Sequence, residues 1–251
     1  MALGIDVFRK HFAGFEDQYV LIGGMACDLL LSEAGHDFRQ TKDIDMVLIV
    51  ESLSNDFAKE FWEFIKKGGY KARQRSDGKP EFYRFIEPTD PNYPMMIELF
   101  AGRDSKQMMD QGHLIPLHVD DDISSLSAIL LNESYYGFLL DGITEVDGVS
   151  VLDAEHLVPL KMKAWLDLTE RKTQGKHVNE RDLRKHRQDV FRLYDLISDD
   201  EKIKAPEEVY MDIKLFTDMI RGQDFDPRFI GLSQDKDHVL DVYRRIYRTE
   251  E

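Results

Sequence analysis

The stretch from Leu21 to Val50, LIGGMACDLL running on to TKDIDMVLIV, constrains the fold more than any other part of the chain. Val20, Leu21 and Ile22 form a short apolar run that stops at Gly23-Gly24, which predicts a buried strand, a tight turn and a helix over Met25 to Ser32. A helix that opens on glycines leaves its first N–H groups free and uncovered by Cβ atoms, with the positive end of the helix dipole behind them. Such a terminus attracts phosphate. Downstream, Asp43 and Asp45 alternate with Ile44 and Met46 on a strand that turns apolar on both faces through Val47 to Val50. At i and i+2 of a strand the two carboxylates share one face, roughly 6.6 Å apart along the chain at about 3.3 Å per residue. The pair is expected at the reachable end of a buried strand, where a hard divalent cation such as Mg²⁺ takes carboxylate and phosphate oxygens.

The other signals place this stretch in context. The chain has 251 residues with 42% hydrophobic content, enough for one large or two modest domains with real cores. No apolar run approaches the roughly 20 residues of a membrane helix, and Asp6 and Arg9 break any secretory segment, so a cytoplasmic protein without a membrane partner is expected. The single cysteine, Cys27, allows no internal disulfide and reads as a buried helix residue. A formal net charge of −15 argues against indiscriminate nucleic-acid binding. Between Lys161 and Arg192, however, ten basic residues face five acidic ones, which reads on charge alone as a solvated helical face.

Along the chain, Leu3, Val7, Phe8, Phe12 and Phe15 predict an amphipathic first helix, and Phe57 to Ile65 a second apolar stripe ended by Gly68-Gly69. Tyr70 to Arg75 and Glu81 to Ile86 read as paired strands around a turn at Gly78, and Met95 to Phe100 as an apolar strand interrupted by Glu98. A carboxylate in a buried strand is costly unless paired or metal-bound, so Glu98 is a candidate third acid; a surface Glu at a strand end is the alternative. His113, His118 and Asp120 to Asp122 fall in an irregular stretch read as solvated. Ser124 to Leu131 predicts a short helix, and Tyr135 to Leu140 and Ser150 to Leu152 predict strands. From Asp153 the pattern is helical, with helices near 154–174, 179–197, 206–220 and 235–248. The expected architecture is α/β (α+β): a mixed sheet with flanking helices over residues 1–152, then a helical bundle over 153–251. Walker A, Gly-x-Gly-x-x-Gly, Gly-x-Ser-x-Gly, His-Glu-x-x-His and Cys-x-x-Cys patterns are all missing.

Gly23-Gly24 followed by Arg39-x-Thr41-x-Asp43-Ile44-Asp45 resembles the signature of the polymerase β-type nucleotidyltransferase superfamily. Lys161-x-x-Ala164 with Arg171, and Arg184-Lys185-His186-Arg187-Gln188-Asp189, resemble the later motifs of the AbiEii family of nucleotidyltransferase-like toxins. The resemblance spans about residues 18 to 197. It implies transfer of a nucleoside monophosphate from an NTP to tRNA, another RNA or a protein, with two Mg²⁺ (or Mn²⁺) ions on Asp43, Asp45 and Glu98. It further implies phosphate contacts from Lys161, support of the acidic strand or the phosphates by Arg39 and Thr41, and an orienting role for Asp189 towards Lys161 or Arg187. Gly23, Gly24 and Arg187 complete the implied nucleotide site. An antitoxin partner is implied by the toxin families, and for a tRNA acceptor the basic segment after Lys161 would meet its phosphates. Two other readings stay open: transfer to a small acceptor of the aminoglycoside kind, and a module that binds nucleotide or a partner without turnover.

Overall fold

The computed structural model describes residues 3–49, 51–74, 80–102 and 132–249, of which 72–74 and 80–83 are described by their backbone alone. The turn expected around Gly78, the stretch bearing His113, His118 and Asp120 to Asp122, and the helix expected over Ser124 to Leu131 lie outside the described residues. The chain divides into two compact units. The first takes the chain through its fifth strand and also Ile143–Asp153; the second takes Ser134–Gly142 and the chain from Ala154 onwards.

In the first unit the elements run α1 (Ile5–His11), β1 (Tyr19–Ile22), α2 (Gly23–Glu33), β2 (Asp43–Leu48), α3 (Asn55–Gly68), β3 (Lys71–Gln74), β4 (Pro80–Ile86) and β5 (Met96–Ala101). The hairpin β6 (Ile143–Val146) and β7 (Val149–Leu152) completes a seven-stranded sheet of order β3-β4-β5-β2-β1-β7-β6. The sheet is mixed: β2 runs antiparallel to β1 and parallel to β5, and β1 runs parallel to β7. All four residues of β1 are buried, as a central strand covered on both faces requires.

Strand alternation sorts the side chains of this sheet onto two faces. Tyr19 lies opposite Leu48 and Leu21 opposite Met46, so these four share one face. Tyr19 on that face meets Phe8 edge-on at 5.4 Å, Phe12 at 6.0 Å and Phe57 at 6.3 Å, joining the apolar stripes of α1 and α3 to the sheet. Phe64 continues the cluster to Phe8, Phe12 and Tyr93. The stripes expected at both helices are therefore core, and they fix one face of the sheet as its dry side. Asp43 and Asp45, out of phase with Ile44 and Met46, belong to the other face.

The second unit contains α4 (Glu133–Asp141), α5 (Ala154–Thr173), α6 (Glu180–Leu193), α7 (Glu207–Arg221) and α8 (Lys236–Ile246), with a small parallel pair of β8 (Ile203–Ala205) and β9 (Tyr247–Thr249). Pro159 stands inside α5 and has no N–H for the carbonyl of Glu155 one turn earlier. The Tyr247 hydroxyl donates to that carbonyl instead, so the end of the chain supplies the bond the proline removes. The Tyr243 hydroxyl donates to the Val190 carbonyl at 2.6 Å, tying α8 to α6. Lys163 sits between Asp167 at 3.2 Å and Asp212 at 3.3 Å, and Tyr135 donates to Asp212 at 2.8 Å, which holds α4, α5 and α7 together.

One expectation is corrected here. Residues 135–140 form part of helix α4, not a strand: Tyr135, Phe138 and Leu139 are buried at i, i+3 and i+4, a helical stripe whose aromatic content resembles strand composition. This helix precedes residue 152 yet, from Ser134, groups with the helical unit. The pair β8 and β9 was not expected, because three-residue strands separated by over forty residues leave no local pattern. Among the described residues no helix is long and apolar enough to cross a membrane.

Candidate active site

The acidic face of the sheet is built by register. In the parallel pair β2 and β5, Asp43 lies opposite Met96 and Asp45 opposite Glu98. Neighbouring strands are about 4.8 Å apart, so Asp45 and Glu98 are cross-strand neighbours on one face, with Asp43 two residues away on the same side. Exposure falls across the three: Asp43 is exposed, Asp45 is half-buried and Glu98 is 6% exposed. Burial pushes the Glu98 carboxyl up to about 7, and the neighbouring Asp45 and then Asp43 push the same way. Arg84 opposes them. It lies opposite Glu98 in the antiparallel register of β4 and β5, and its Nε–H donates to Glu98 Oε1.

The start of α2 closes on this face. Gly23 has φ +71°, and a Cβ placed there would lie 1.8 Å from Asp45 Oδ2. Only glycine lets the strand turn into the helix while the carboxylate occupies that space. A Cβ on Gly24 would lie 3.1 Å from Thr41 Oγ1 and 3.2 Å from Arg39 Nη2. Gly23, Gly24, Arg39, Thr41 and Asp45 are thus gathered around the first turn of one helix. Thr41 is 5% exposed and its Oγ1 is buried, with no hydrogen-bond partner among the described residues. The Arg39 guanidinium lies 4.9 Å from the centroid of the Phe38 ring.

The donors fit a metal ion as a pair rather than as a triad. Among the described residues no three His, Cys, Asp or Glu side chains converge as a ready-made metal cluster. Glu98, the third oxygen donor on this face, is engaged by Arg84, so it ligates only in competition with a guanidinium. Asp43 and Asp45 are two hard oxygen donors at a strand end, which suits an ion such as Mg²⁺ that keeps several waters and takes its remaining oxygens from phosphates. Glu98 lies beside Asp45, with Arg84 bound to its carboxyl.

The remaining expected residues lie in the second unit. Lys161 Nζ is 3.2 Å from Asp189 Oδ2, and the two side chains are 2% and 0% exposed. Asp189 therefore partners Lys161 rather than Arg187, as one of the two implied options has it. An ammonium so enclosed is a tie between α5 and α6 and is not presented to a phosphate in this conformation. Arg187 instead donates to Gln223 Oε1 at 2.8 Å and lies 4.3 Å from the Phe225 ring centroid.

Sequence reasoning missed Arg84. The available signal was an arginine inside a strand-like run at Glu81 to Ile86, near a strand with one unexplained acid. Only the register of β4 on β5 brings the two opposite each other.

No family model matches the chain, and no curated protein matches it. Among solved structures, it is similar to the crystal structure of an antigenic nucleotidyltransferase-like protein from Paracoccidioides brasiliensis, with 14% identity, a TM-score of 0.45 and coverage of 96% of this chain and 94% of that one.

Two outcomes follow from these charges. Folded Glu98 keeps its proton to about pH 7, whereas an unfolded glutamate loses it near pH 4.3. Across that window the native state holds more protons than the unfolded one, so the Glu98 contribution to stability falls as pH rises and is fully lost above about 7. Urea denaturation at several pH values should show this decline in the native chain and not in Glu98→Gln. For the buried pair, Lys161→Met should destabilise the chain by about 3 kcal/mol, because it leaves Asp189 with the longer contact to Arg192 at 3.6 Å, and Lys161→Met with Asp189→Leu should recover most of that loss. The same denaturation series measures both. A phosphate-binding lysine would instead lose nucleotide affinity at unchanged stability.

Proposed function

We propose that this protein is a nucleotidyltransferase that transfers a nucleoside monophosphate from an NTP to a hydroxyl of an RNA or protein acceptor. The observation that carries the reading is the meeting of Asp45 with the glycine-opened start of α2, with no room for a Cβ between them. Carboxylates for a cation and free helix-terminal N–H groups for phosphate are brought to one place, and a nucleoside triphosphate with its metal asks for both. The resemblance of Gly23-Gly24 and Arg39-x-Thr41-x-Asp43-Ile44-Asp45 to the polymerase β-type superfamily supports the same reading.

In this reaction the acceptor hydroxyl gives up its proton to solvent or a nearby carboxylate as its oxygen bonds to the α-phosphorus, the α–β phosphoanhydride bond breaks, and pyrophosphate leaves. Asp43 and Asp45 would hold Mg²⁺ or Mn²⁺, which supplies Lewis-acid neutralisation of the phosphate charge. The first N–H groups of α2 bind phosphate oxygens, and glycine at 23 and 24 lets Asp45, Thr41 and Arg39 pack against that same turn. The Thr41 hydroxyl, buried beside Gly24 without a partner among the described residues, has a hydrogen bond to give. The Arg39 guanidinium on the same side adds charge. Glu98, with its carboxyl near 7, holds or releases a proton beside Asp45 around neutrality, and Arg84 sets its orientation. Positioning and charge account for catalysis of this kind, so no covalent nucleophile is needed.

On this reading the chain is a toxin or defence component of the AbiEii type, with an antitoxin as partner and a cytoplasmic site of action. The later motifs support that assignment through Lys161-x-x-Ala164 and Arg184 to Asp189. Purified protein with labelled NTPs, Mg²⁺ and a mixture of total RNA and protein should yield a labelled macromolecule. Asp43→Ala and Asp45→Ala should each lower the yield roughly a thousandfold or more. Label appearing only on an added aminoglycoside would replace the macromolecular acceptor. Nucleotide binding without Mg²⁺ and without transfer would replace the enzyme with a binding module.

A further inference from the structure

The second unit holds a cavity of its own, about 240 Å³ in volume, between α5 and α6. Trp165, Thr169 and Lys172 line it from α5, and Arg184 and Arg187 from α6, with Gln223 closing one side. Glu180 also lies on the wall and is paired with Lys172. That pair accounts for one cation and one carboxylate and leaves two guanidiniums over.

Among the described residues neither guanidinium has an acidic partner. Among the described residues Arg184 makes no ion pair or hydrogen bond, and it is exposed. Arg187 donates to the neutral Gln223 amide, packs on Phe225 and keeps a buried Nε–H without an acceptor. Burial and then the charge of Arg184 push the Arg187 guanidinium below its ordinary value. Two like charges one helical turn apart in a partly desolvated wall repel each other, and a buried donor left unmade is costly. An anion between them reverses both penalties.

The size and charge of the cavity select the anion. Its volume is below the roughly 300–1,000 Å³ of pockets that enclose a whole drug-sized ligand, so it takes a charged group and a few attached atoms rather than a complete nucleotide. Two uncompensated charges match a phosphomonoester, which carries about −1.5 to −2 at neutral pH. Guanidinium forks suit its oxygens better than ammonium groups do. We propose that this cavity is a binding site for the terminal phosphate of a phosphomonoester, borne either by a free sugar phosphate or by a 5′-phosphorylated nucleic-acid end. All its lining residues belong to the second unit, and the proposal does not depend on the nucleotidyltransferase reading.

Isothermal titration calorimetry on the full chain tests it, with ribose 5-phosphate and a short oligoribonucleotide in 5′-phosphorylated and 5′-hydroxyl forms as probes. Saturable binding of ribose 5-phosphate or of the phosphorylated oligonucleotide is expected, and the probe that binds more tightly identifies the source. Arg184→Gln and Arg187→Gln should each weaken it about tenfold, the scale of one charge-assisted contact. Arg184 is exposed, so its variant keeps the fold, which an unchanged melting curve verifies. Asp43→Asn with Asp45→Asn should leave the affinity unchanged, whatever becomes of transfer activity. No saturable binding of either phosphomonoester would overturn the proposal, as would affinity indifferent to Arg184→Gln. Equal binding of the 5′-hydroxyl oligonucleotide would also overturn it, in favour of a phosphodiester contact.

Discussion

The register of β2 between its two neighbours is the constraint on which the site depends. One alignment sets Asp45 beside Glu98 on β5, and the other sets Ile22, the residue before Gly23, opposite Asp45. A slip of one residue would turn both aspartates into the aromatic side of the sheet and put Ile44 and Met46 on the acidic side. The aromatic cluster around Tyr19 and Phe64 therefore contributes more than burial. Its bulk admits only one phase of β2, and that phase delivers the carboxylates to the opposite face.

Charge on that face is managed by proximity. Asp43 at the strand start is exposed, while Glu98 is enclosed and cannot remain ionised beside Asp45 without help. Arg84 offsets only part of that cost, leaving the carboxyl near 7, and a bound cation would lower it further. The same rule applies in the second unit, where Lys161 and Asp189 answer each other so completely that neither faces outward. By contrast, Arg184 and Arg187 have no such answer, which is why their cavity stands out from the other charged features of α6.

Much of the first unit was legible in the sequence because its signals are local. Gly23-Gly24 after an apolar run marked the junction of β1 and α2, and the alternation at 43–46 gave both the strand and the face its acids share. Glu98 was visible as an acid with no local reason to be in an apolar strand. What could not be read depends on long-range partners. Arg84 becomes meaningful only through the pairing of β4 with β5, and β8 pairs with β9 across more than forty residues of chain, where Tyr247 also returns to Glu155 at the proline inside α5. Residues 135–140 were misread because an aromatic-rich run favours a strand by composition, while the burial of Tyr135, Phe138 and Leu139 follows a helical period. Lys161 was expected at a phosphate because a motif gives spacing and not exposure.

On the proposed function, Asp43 and Asp45 share a cation with a nucleotide at the start of α2. Electron paramagnetic resonance of Mn²⁺ tests this most directly, since the signal of the free ion disappears on binding. Titration with Mn²⁺ in the presence of a non-hydrolysable NTP should show saturable uptake that is much weaker without the nucleotide and is lost in Asp45→Asn. Uptake that is the same in Asp45→Asn and in Asp43→Asn as in the native chain, or no uptake at all, would contradict the account.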